Sequence, residues 1–469
     1  MSARKLRDCM SASSFVAPDF ASAESRRTLT PFLERLRGAG AAGSRAGGQA
    51  EKHVIAKAAT ASHTLLKKWD VSRTRDGRIP KKLARSHCGE TAAAAFDTKL
   101  GLGDTAPSPR SRPEAPGAGF IRPRMQTMFS AMQAVSIEGQ FGLDHLQLVQ
   151  RPTASPAFGQ VRLRMRAASL NYRDLLMAQG KYNPRQPLPL VLGSDGVGEV
   201  VEVGPGVSRI QVGERACPIF AQEWIAGAPT KSILRSTLGG PRDGTLTQEM
   251  VLSEQALVRV PDALSDDAAA TLPCAAVTAW SALVTQGRVC AGQTVLTQGT
   301  GGVSIFALQI AKMLGARVIV TSKSDEKLER ARALGADETI NYETTQDWGR
   351  RAKEIAGGDG VDHVIEVGGG GTLGQSLRAV RPGGTISVIG VLSGNTSDVS
   401  LLPLLMQNVR MQGVMVGHRD SFEALLAAAV QCKLSPVIDR SFSLAETKQA
   451  LTYLKTANHL GKIVVRIAD

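Results

Sequence analysis

The stretch QTVLTQGTGGVSIFALQIAKMLGARVIVTSKS, residues 293 to 324, runs through an apolar strand, a glycine turn, an apolar-faced helix and a second apolar strand. A glycine trio alone would be weak evidence, but this strand-turn-helix-strand setting is the one a dinucleotide site requires. Gly299 permits the tight turn, and Gly301 lets backbone amides approach a pyrophosphate. Past Gly302 and Val303 the chain enters a helix whose first N–H groups are unpaired and partially positive. Ser304 stands where the pattern prefers a third small glycine, so helix and strand must pack around one extra hydroxyl. The bland alternative is a glycine-rich turn that packs a helix on a sheet and binds nothing.

The second strand ends Val320-Thr321-Ser322-Lys323. A site for NAD usually places Asp or Glu there, about 20 residues past the first glycine, to hold the ribose 2′-OH. No acid occurs before Asp325, already in the next helix. Two hydroxyls and an ammonium match a 2′-phosphate instead. NADPH is therefore the expected coenzyme, with NADH still possible; the alternative is that Lys323 is a solvated turn residue.

Outward from this unit, apolar strands alternate with helical patterns from about residue 265, the signature of a doubly wound parallel sheet. ETINY, VDHVIEVGG and TISVIGVL supply further strands, and GKIVVRI at 461 to 467 closes the chain. Upstream the rhythm differs. Residues 131 to 149 read as two strands around a turn at Glu138-Gly139, 160 to 169 alternate as a half-buried strand does, and GEVVEVGPGV at 198 to 207 continues a compact β-rich unit. The expected division is an N-terminal extension over 1–127, a β-rich catalytic part over 128–264, a Rossmann unit over 265–419 and a segment returning to the catalytic part over 420–469.

Residues 1–127 mix Ala, Gly, Ser, Pro and Arg with little periodicity, a composition that buries too little apolar surface to offset ordering. A targeting presequence is one reading, but Asp8, Asp19, Glu24 and Glu34 spoil its acid-poor signature. The preferred reading is a non-functional extension, with Met125, Met128 or Met132 as the working start. The charge supports treating it apart: of a formal +14, this extension carries +12, leaving 33 basic and 31 acidic residues beyond it. A near-neutral globular part, with aromatics at 4% of the chain, excludes both a polyanion footprint and a base-stacking platform. Six cysteines lie scattered without a C-x-x-C pair, no apolar signal segment follows the start, and no apolar run approaches the roughly 18 residues that span a bilayer. A cytoplasmic protein with a small-molecule substrate, and neither nucleic acid nor membrane as partner, is expected.

NYRDLL at 171 to 176, GSDGVGEVVEVGPGV at 193 to 207, LPCAAVTAWSAL at 272 to 283, QGTGGVS at 298 to 304, ALGADETINY at 333 to 342 and GKIVVRI at 461 to 467 occur in that order. Together they resemble the medium-chain dehydrogenase/reductase superfamily, in its zinc-less quinone-reductase-like and alcohol-dehydrogenase-like branches, over residues 128–469. The resemblance implies a GroES-like β-rich catalytic domain with a Rossmann domain inserted in it, a cleft between them, a homodimer, and hydride transfer between NAD(P)H and a small carbonyl, enone, quinone or alcohol. It also implies roles: Val303 behind the nicotinamide ring, Thr278 at the nicotinamide end, Tyr342 near the adenosine ribose, Gly390-Val391-Leu392 at the carboxamide and Lys462 near the phosphates. Each has a plain alternative as core or turn packing.

Zinc-dependent relatives need Cys at the position of Asn171, His-Glu at Ser194-Asp195 and Cys near Cys274. Only Cys274 is present, and one soft ligand cannot make an open three-ligand site. Nor does 218–250 hold the four cysteines of a structural zinc. Without zinc, a tyrosine hydroxyl can polarise a carbonyl and supply a proton. Tyr182 matches the donor of some enoyl-reducing relatives and Tyr172 adjoins the lost ligand position; either can equally be a buried ring whose hydroxyl is merely satisfied. Asn171 would orient the nicotinamide ribose or substrate, and Asp174 looks structural. The rival functions are a zinc alcohol dehydrogenase and a non-catalytic, crystallin-like cofactor binder.

Overall fold

Leu-Gly-Ala recurs at 314 to 316 and 334 to 336, and both copies end a helix of the cofactor unit. In the computed structural model, which describes residues 131–467, Gly315 and Gly335 take positive φ. Their N–H groups donate to Lys312 O and Arg332 O, and Ala316 and Ala336 donate back to Ala311 O and Ala331 O. These paired closures stop the helices and turn the chain into the next strand. Expectations about residues 1–127, including the start and presequence readings, lie outside the described residues.

The catalytic part opens on β1 (Ala131–Ile137) and β2 (Leu146–Pro152), antiparallel and in register from Ala131 opposite Pro152 to Ile137 opposite Leu146. With β4 (Leu190–Val191) they form a three-stranded sheet. The larger sheet has seven strands centred on β3 (Gln160–Leu170), whose inward residues Val161, Leu163 and Met165 are fully buried. Strand β3 pairs with β5 (Asp195–Val203) and β7 (Glu249–Ser253), and β6 (Arg215–Pro218) and β8 (Leu257–Arg259) extend the sheet beyond β5. After β3 a short helix, α1 (Tyr172–Ala178), leaves the sheet, with the Asp174 carboxylate accepting from Asn171 N at 2.8 Å.

The chain enters the cofactor unit through α2 (Asp266–Ala270) and a long helical run over 272–286 that widens into π-helical turns at both ends of α3 (Val277–Trp280). Next come β9 (Thr294–Gln298), α4 (Gly302–Met313), β10 (Arg317–Ser322), α5 (Asp325–Ala333), β11 (Glu338–Asn341), α6 (Trp348–Ile355), β12 (Val361–Glu366), α7 (Leu373–Ala379), β13 (Val380–Val388), α8 (Leu402–Met406) and β14 (Arg410–Gly413). All pairings are parallel, in the order β11-β10-β9-β12-β13-β14. Counted from β9 this is 3-2-1-4-5-6, the Rossmann winding, with its direction reversing between β9 and β12. The fold is thus a Rossmann sheet joined to a GroES-like β-rich unit.

After α9 (Arg419–Gln431), β15 (Ile438–Ser443), α10 (Thr447–Lys455) and β16 (Lys462–Arg466) carry the chain back, β16 pairing with β3. One continuous apolar core includes Val197 and Val258 of the catalytic sheet together with Phe306, Val318 and Ile365 of the cofactor unit. That shared core fixes the two sheets relative to each other.

At the reversal, Glu366 is fully buried at the end of apolar β12. It accepts from Gln298 Nε2 at 2.8 Å, Gly368 N at 2.8 Å, Gly369 N at 2.9 Å, Thr372 Oγ1 at 2.6 Å and the Ser376 hydroxyl. Gln298 Oε1 in turn accepts from Val367 N and Gly368 N. Removing the carboxylate takes the shared acceptor from five donors and leaves Gly369 N and the Ser376 hydroxyl without their partner. Glu366→Ala should lower unfolding free energy by about 3 kcal/mol or more, whereas Thr372→Val, which removes one donor, should cost about 1 kcal/mol. Urea midpoints of the two variants would check both; equal small losses would mean that the network does not hold the crest.

Candidate functional site

Ligands of open parallel sheets bind beyond the strand C-termini where the winding reverses, and here that crest lies between β9 and β12. Gly299 leaves β9 with φ of 71°, a backbone that β-carbons resist, its N–H held by Thr321 O at 2.7 Å. A Cβ built on Gly299 or Gly301 would meet nothing within 4 Å, so the loop faces open space. No side chain caps α4 at Gly301, which leaves its first N–H groups available to an anion. The extra hydroxyl of Ser304 turns back and donates to Gln298 O at 2.6 Å, so helix and strand pack normally. Val303 is partly buried against the core below.

Across the crest, backbone meets backbone. A Cβ on Gly390 would stand 2.6 Å from Val367 O, and one on Gly369 2.6 Å from Gly394 O. The loops after β12 and β13 are thereby pressed together, with Val391 and Leu392 about half exposed at their rim. Tyr342 follows β11 with its N–H on Ser322 O at 3.1 Å, and burial raises its phenol above the ordinary range.

Several expected contacts are corrected by burial. Thr321 and Ser322 are both interior, and Ser322 Oγ accepts from Ser324 N at 3.3 Å. Only Lys323 is exposed at the strand end, with no ion pair among the described residues. Thr278 is buried with its hydroxyl donated to Cys274 O at 2.6 Å, so it does not offer that proton to a nicotinamide. Neither tyrosine is a buried ring: Tyr172 is 44% exposed and Tyr182 47%.

Asn171 and Lys462, expected to touch cofactor, meet each other instead. Lys462 Nζ, 3% exposed, donates to Asn171 Oδ1 at 2.7 Å, Leu170 O at 2.8 Å and Asp195 Oδ2 at 3.2 Å. Asn171 Nδ2 donates to Asp195 Oδ2 at 2.8 Å and Ser194 Oγ at 3.1 Å, and Ser194 Oγ donates to Asp174 Oδ1 at 2.9 Å. All three ammonium protons of Lys462 and both amide protons of Asn171 are thus donated within this cluster. Burial raises the Asp174 carboxyl; it raises that of Asp195 to about 6, against the opposing pull of Lys462.

This cluster occupies the positions where zinc-dependent relatives hold metal, and its donors do not fit a catalytic zinc. Asp195 Oδ2 already faces an ammonium, and Asn171 and Ser194 present a neutral amide and a hydroxyl rather than thiolate or imidazole.

The sequence reading missed Arg173. Its guanidinium lies 4.8 Å from the Tyr182 ring centroid and 5.0 Å from that of Phe220. It also donates to Leu238 O at 3.0 Å and Gly240 O at 2.5 Å. An arginine directly after Tyr172 in NYRDLL, and before Tyr182 in the chain, was the available signal. Val416 was missed too: a β-branched residue at φ of 52°, in the turn from β14 to α9, is a strained position.

Two family models match the chain, the alcohol dehydrogenase GroES-like domain over residues 157–262 and the zinc-binding dehydrogenase model over 302–431. A zinc-type alcohol dehydrogenase-like protein of Schizosaccharomyces pombe is 42% identical, covering 66% of this chain and 91% of its own. An acryloyl-coenzyme A reductase of Metallosphaera sedula is 32% identical, covering 71% and 99%. The crystal structure of a putative alcohol dehydrogenase from Sinorhizobium meliloti is 42% identical and superposes with a TM-score of 0.67, covering 72% of this chain and 99% of its own.

The Asp195 carboxyl gives a pH signature. Between its ordinary 3.8 and about 6 the folded protein holds a proton there that the unfolded chain releases. Its stabilising contribution, on the order of 3 kcal/mol, is thus complete below about pH 4 and lost as pH rises through about 6. Replacing Asp195 by Asn removes the titration. The melting temperature of the wild type minus that of Asp195→Asn should decline from pH 4 to about 6.5 and then level; a constant difference would return the carboxyl to its ordinary range.

Proposed function

The chain belongs to the medium-chain dehydrogenase/reductase superfamily and is an NAD(P)-dependent oxidoreductase, and from that premise we propose that it moves hydride between NADPH and a small carbonyl, enone, quinone or alcohol without zinc. The observation that carries this reading is the open glycine crest: Gly299 and Gly301 face free space at the winding reversal, beneath an uncapped helix N-terminus. Residues 299 to 303 would hold the pyrophosphate. Gly390-Val391-Leu392 would border the carboxamide end, and Tyr342 and Lys323 the adenosine ribose. When bound, the nicotinamide supplies the hydride.

What remains for the protein is to polarise the acceptor and move one proton. The hydroxyls of Tyr182 and Tyr172, half exposed beside the Asn171 cluster, are the groups offered to substrate. Tyr182 is favoured because Arg173 steadies its ring and places a cation against the face of the phenol, where negative charge would develop on proton loss. The metal-free reading rests on the ammonium already paired with Asp195. A small-molecule substrate rather than nucleic acid follows from the near-neutral charge beyond residue 127. The free thiols Cys217, Cys274, Cys290 and Cys432 are consistent with a cytoplasmic setting. Strand β14, at the end of the Rossmann sheet, and the exposed Leu401, Leu402, Leu405 and Met406 support assembly as a homodimer.

Purified protein given NADPH and a panel of carbonyls, enones, quinones and enoyl thioesters should oxidise the coenzyme at a rate unchanged by a strong chelator. Tyr182→Phe should lower kcat at least tenfold with little change in NADPH affinity. Loss of turnover on chelation would restore the zinc alcohol dehydrogenase reading, and an unaffected Tyr182 variant would move the proton to Tyr172. NADPH should also bind more tightly than NADH, since no carboxylate stands at the end of β10. An exposed ammonium on a 2′-phosphate contributes roughly 1 to 2 kcal/mol, about five- to thirtyfold in affinity. Lys323→Ala should narrow the preference by that factor at fixed ionic strength; equal wild-type dissociation constants for the two coenzymes would overturn the NADPH assignment.

A further inference from the structure

Lys462 touches both halves of the site at once. One residue before it, Gly461 N donates to Thr300 O at 2.9 Å, joining the start of β16 to the glycine loop. Its stem crosses Gly302 so closely that a Cβ there would stand 2.6 Å from Lys462 Cδ. Its ammonium then ends on Leu170 O and Asn171 Oδ1, the last residue of β3 and the residue before Tyr172. Such a buried ion pair contributes little net stability relative to well-packed apolar groups, because desolvation offsets the attraction. What it does specify is geometry.

We propose that Lys462 is a positioning residue for hydride transfer, a rigid strut that sets the separation between the N-terminus of the cofactor helix α4 and the Asn171–Tyr182 segment that carries the proton donor. This rests on the oxidoreductase reading above. The strut fixes three things together. Gly302 lacks a side chain, so the lysine stem can lie against the first turn of α4. Asn171 presents its carbonyl oxygen to the ammonium, which directs its NH2 toward Ser194 and Asp195 and orients the start of α1. Asp195 keeps one oxygen, Oδ1, fully buried without a partner. That carboxylate therefore depends on Lys462 and Asn171 alone, and losing the ammonium would release both Asp195 and the segment hung on it.

The test uses the full-length chain, NADPH, and the panel acceptor that the wild type reduces fastest. Two variants are compared, Lys462→Met and the double variant Lys462→Met with Asp195→Asn, in which no charge is left buried alone. In both, the NADPH dissociation constant should stay within about threefold of wild type while kcat falls at least tenfold. The primary isotope effect from NADPH deuterated at the transferred position should rise as transfer becomes rate-limiting. A merely structural role predicts a lower melting temperature with kcat per folded site unchanged, and a double variant with wild-type kcat and isotope effect would overturn the proposal. So would weaker NADPH binding with kcat retained, which would put the ammonium back on the phosphates. A wild type that transfers no hydride to any acceptor would sink the oxidoreductase reading and this inference together; one that does, with unaffected variants, sinks this inference alone.

Discussion

The reversal of winding between β9 and β12 is the constraint on which the rest of the site depends. Two parallel strands whose crossovers leave on opposite faces open a crevice at their C-terminal ends, and the chain must line that crevice with backbone. Glu366 makes this possible by drawing Gly368 N, Gly369 N, Gln298, Thr372 and Ser376 onto one buried carboxylate. The turn after β12 is thereby pinned low. The turn after β9 stays free to expose its glycines, because Gly299 N is held from below by Thr321 O rather than from in front. The open space in front of Gly299 and Gly301 goes with satisfying polar groups on one side of the crest only.

Much of this was legible in the sequence, where the controlling interactions are local. A strand, a positive-φ glycine and an uncapped helix start are set by neighbours in the chain, so the cofactor loop could be read directly from 293 to 324. The Leu-Gly-Ala stops are local too. The connection from β1 to β2 is longer than the turn expected at Glu138-Gly139, running over 138–145 with a 3-10 turn at Leu143–His145. The Glu366 network could not be read, because it joins residues far apart in the chain. Its only trace was an acid directly after the apolar pair Val364-Ile365.

The residue roles fared less evenly, for a physical reason. Position along a strand or in a motif says where a Cα lies, whereas contact with a ligand depends on where a side chain's polar atoms are satisfied. Thr321 and Ser322 occupy the expected strand end yet face inward. Thr278 lies on the expected helix yet bonds to its own turn. Asn171 and Lys462 each lie close to the glycine loop or the catalytic segment, but their hydrogen-bonding capacity is fully used by one another, Asp195 and Leu170 O. Lys323, Tyr172 and Tyr182, whose side chains are exposed, are the expected groups whose polar ends remain available.

An internal ion pair in place of a metal centre, as proposed above, changes what the surrounding residues must do. A bound cation orients its ligands through coordination and can act directly on a substrate oxygen. An ammonium with all three protons donated inward orients Asn171 and Asp195 but has no proton left for substrate. On the zinc-free reading proposed above, polarisation comes from a neutral donor outside the cluster, placed by the cluster's rigidity. The half-exposed tyrosines fit that division, and Arg173 supplies a second anchor, reaching from α1 to the carbonyls of Leu238 and Gly240 while lying against the Tyr182 ring. The buried Lys462–Asp195 pair, through Asn171, and the stacked Arg173 thus both act on the N-terminal turn of the same short helix. Positive charge in this site is turned inward, onto Asp195, Asn171 and backbone carbonyls.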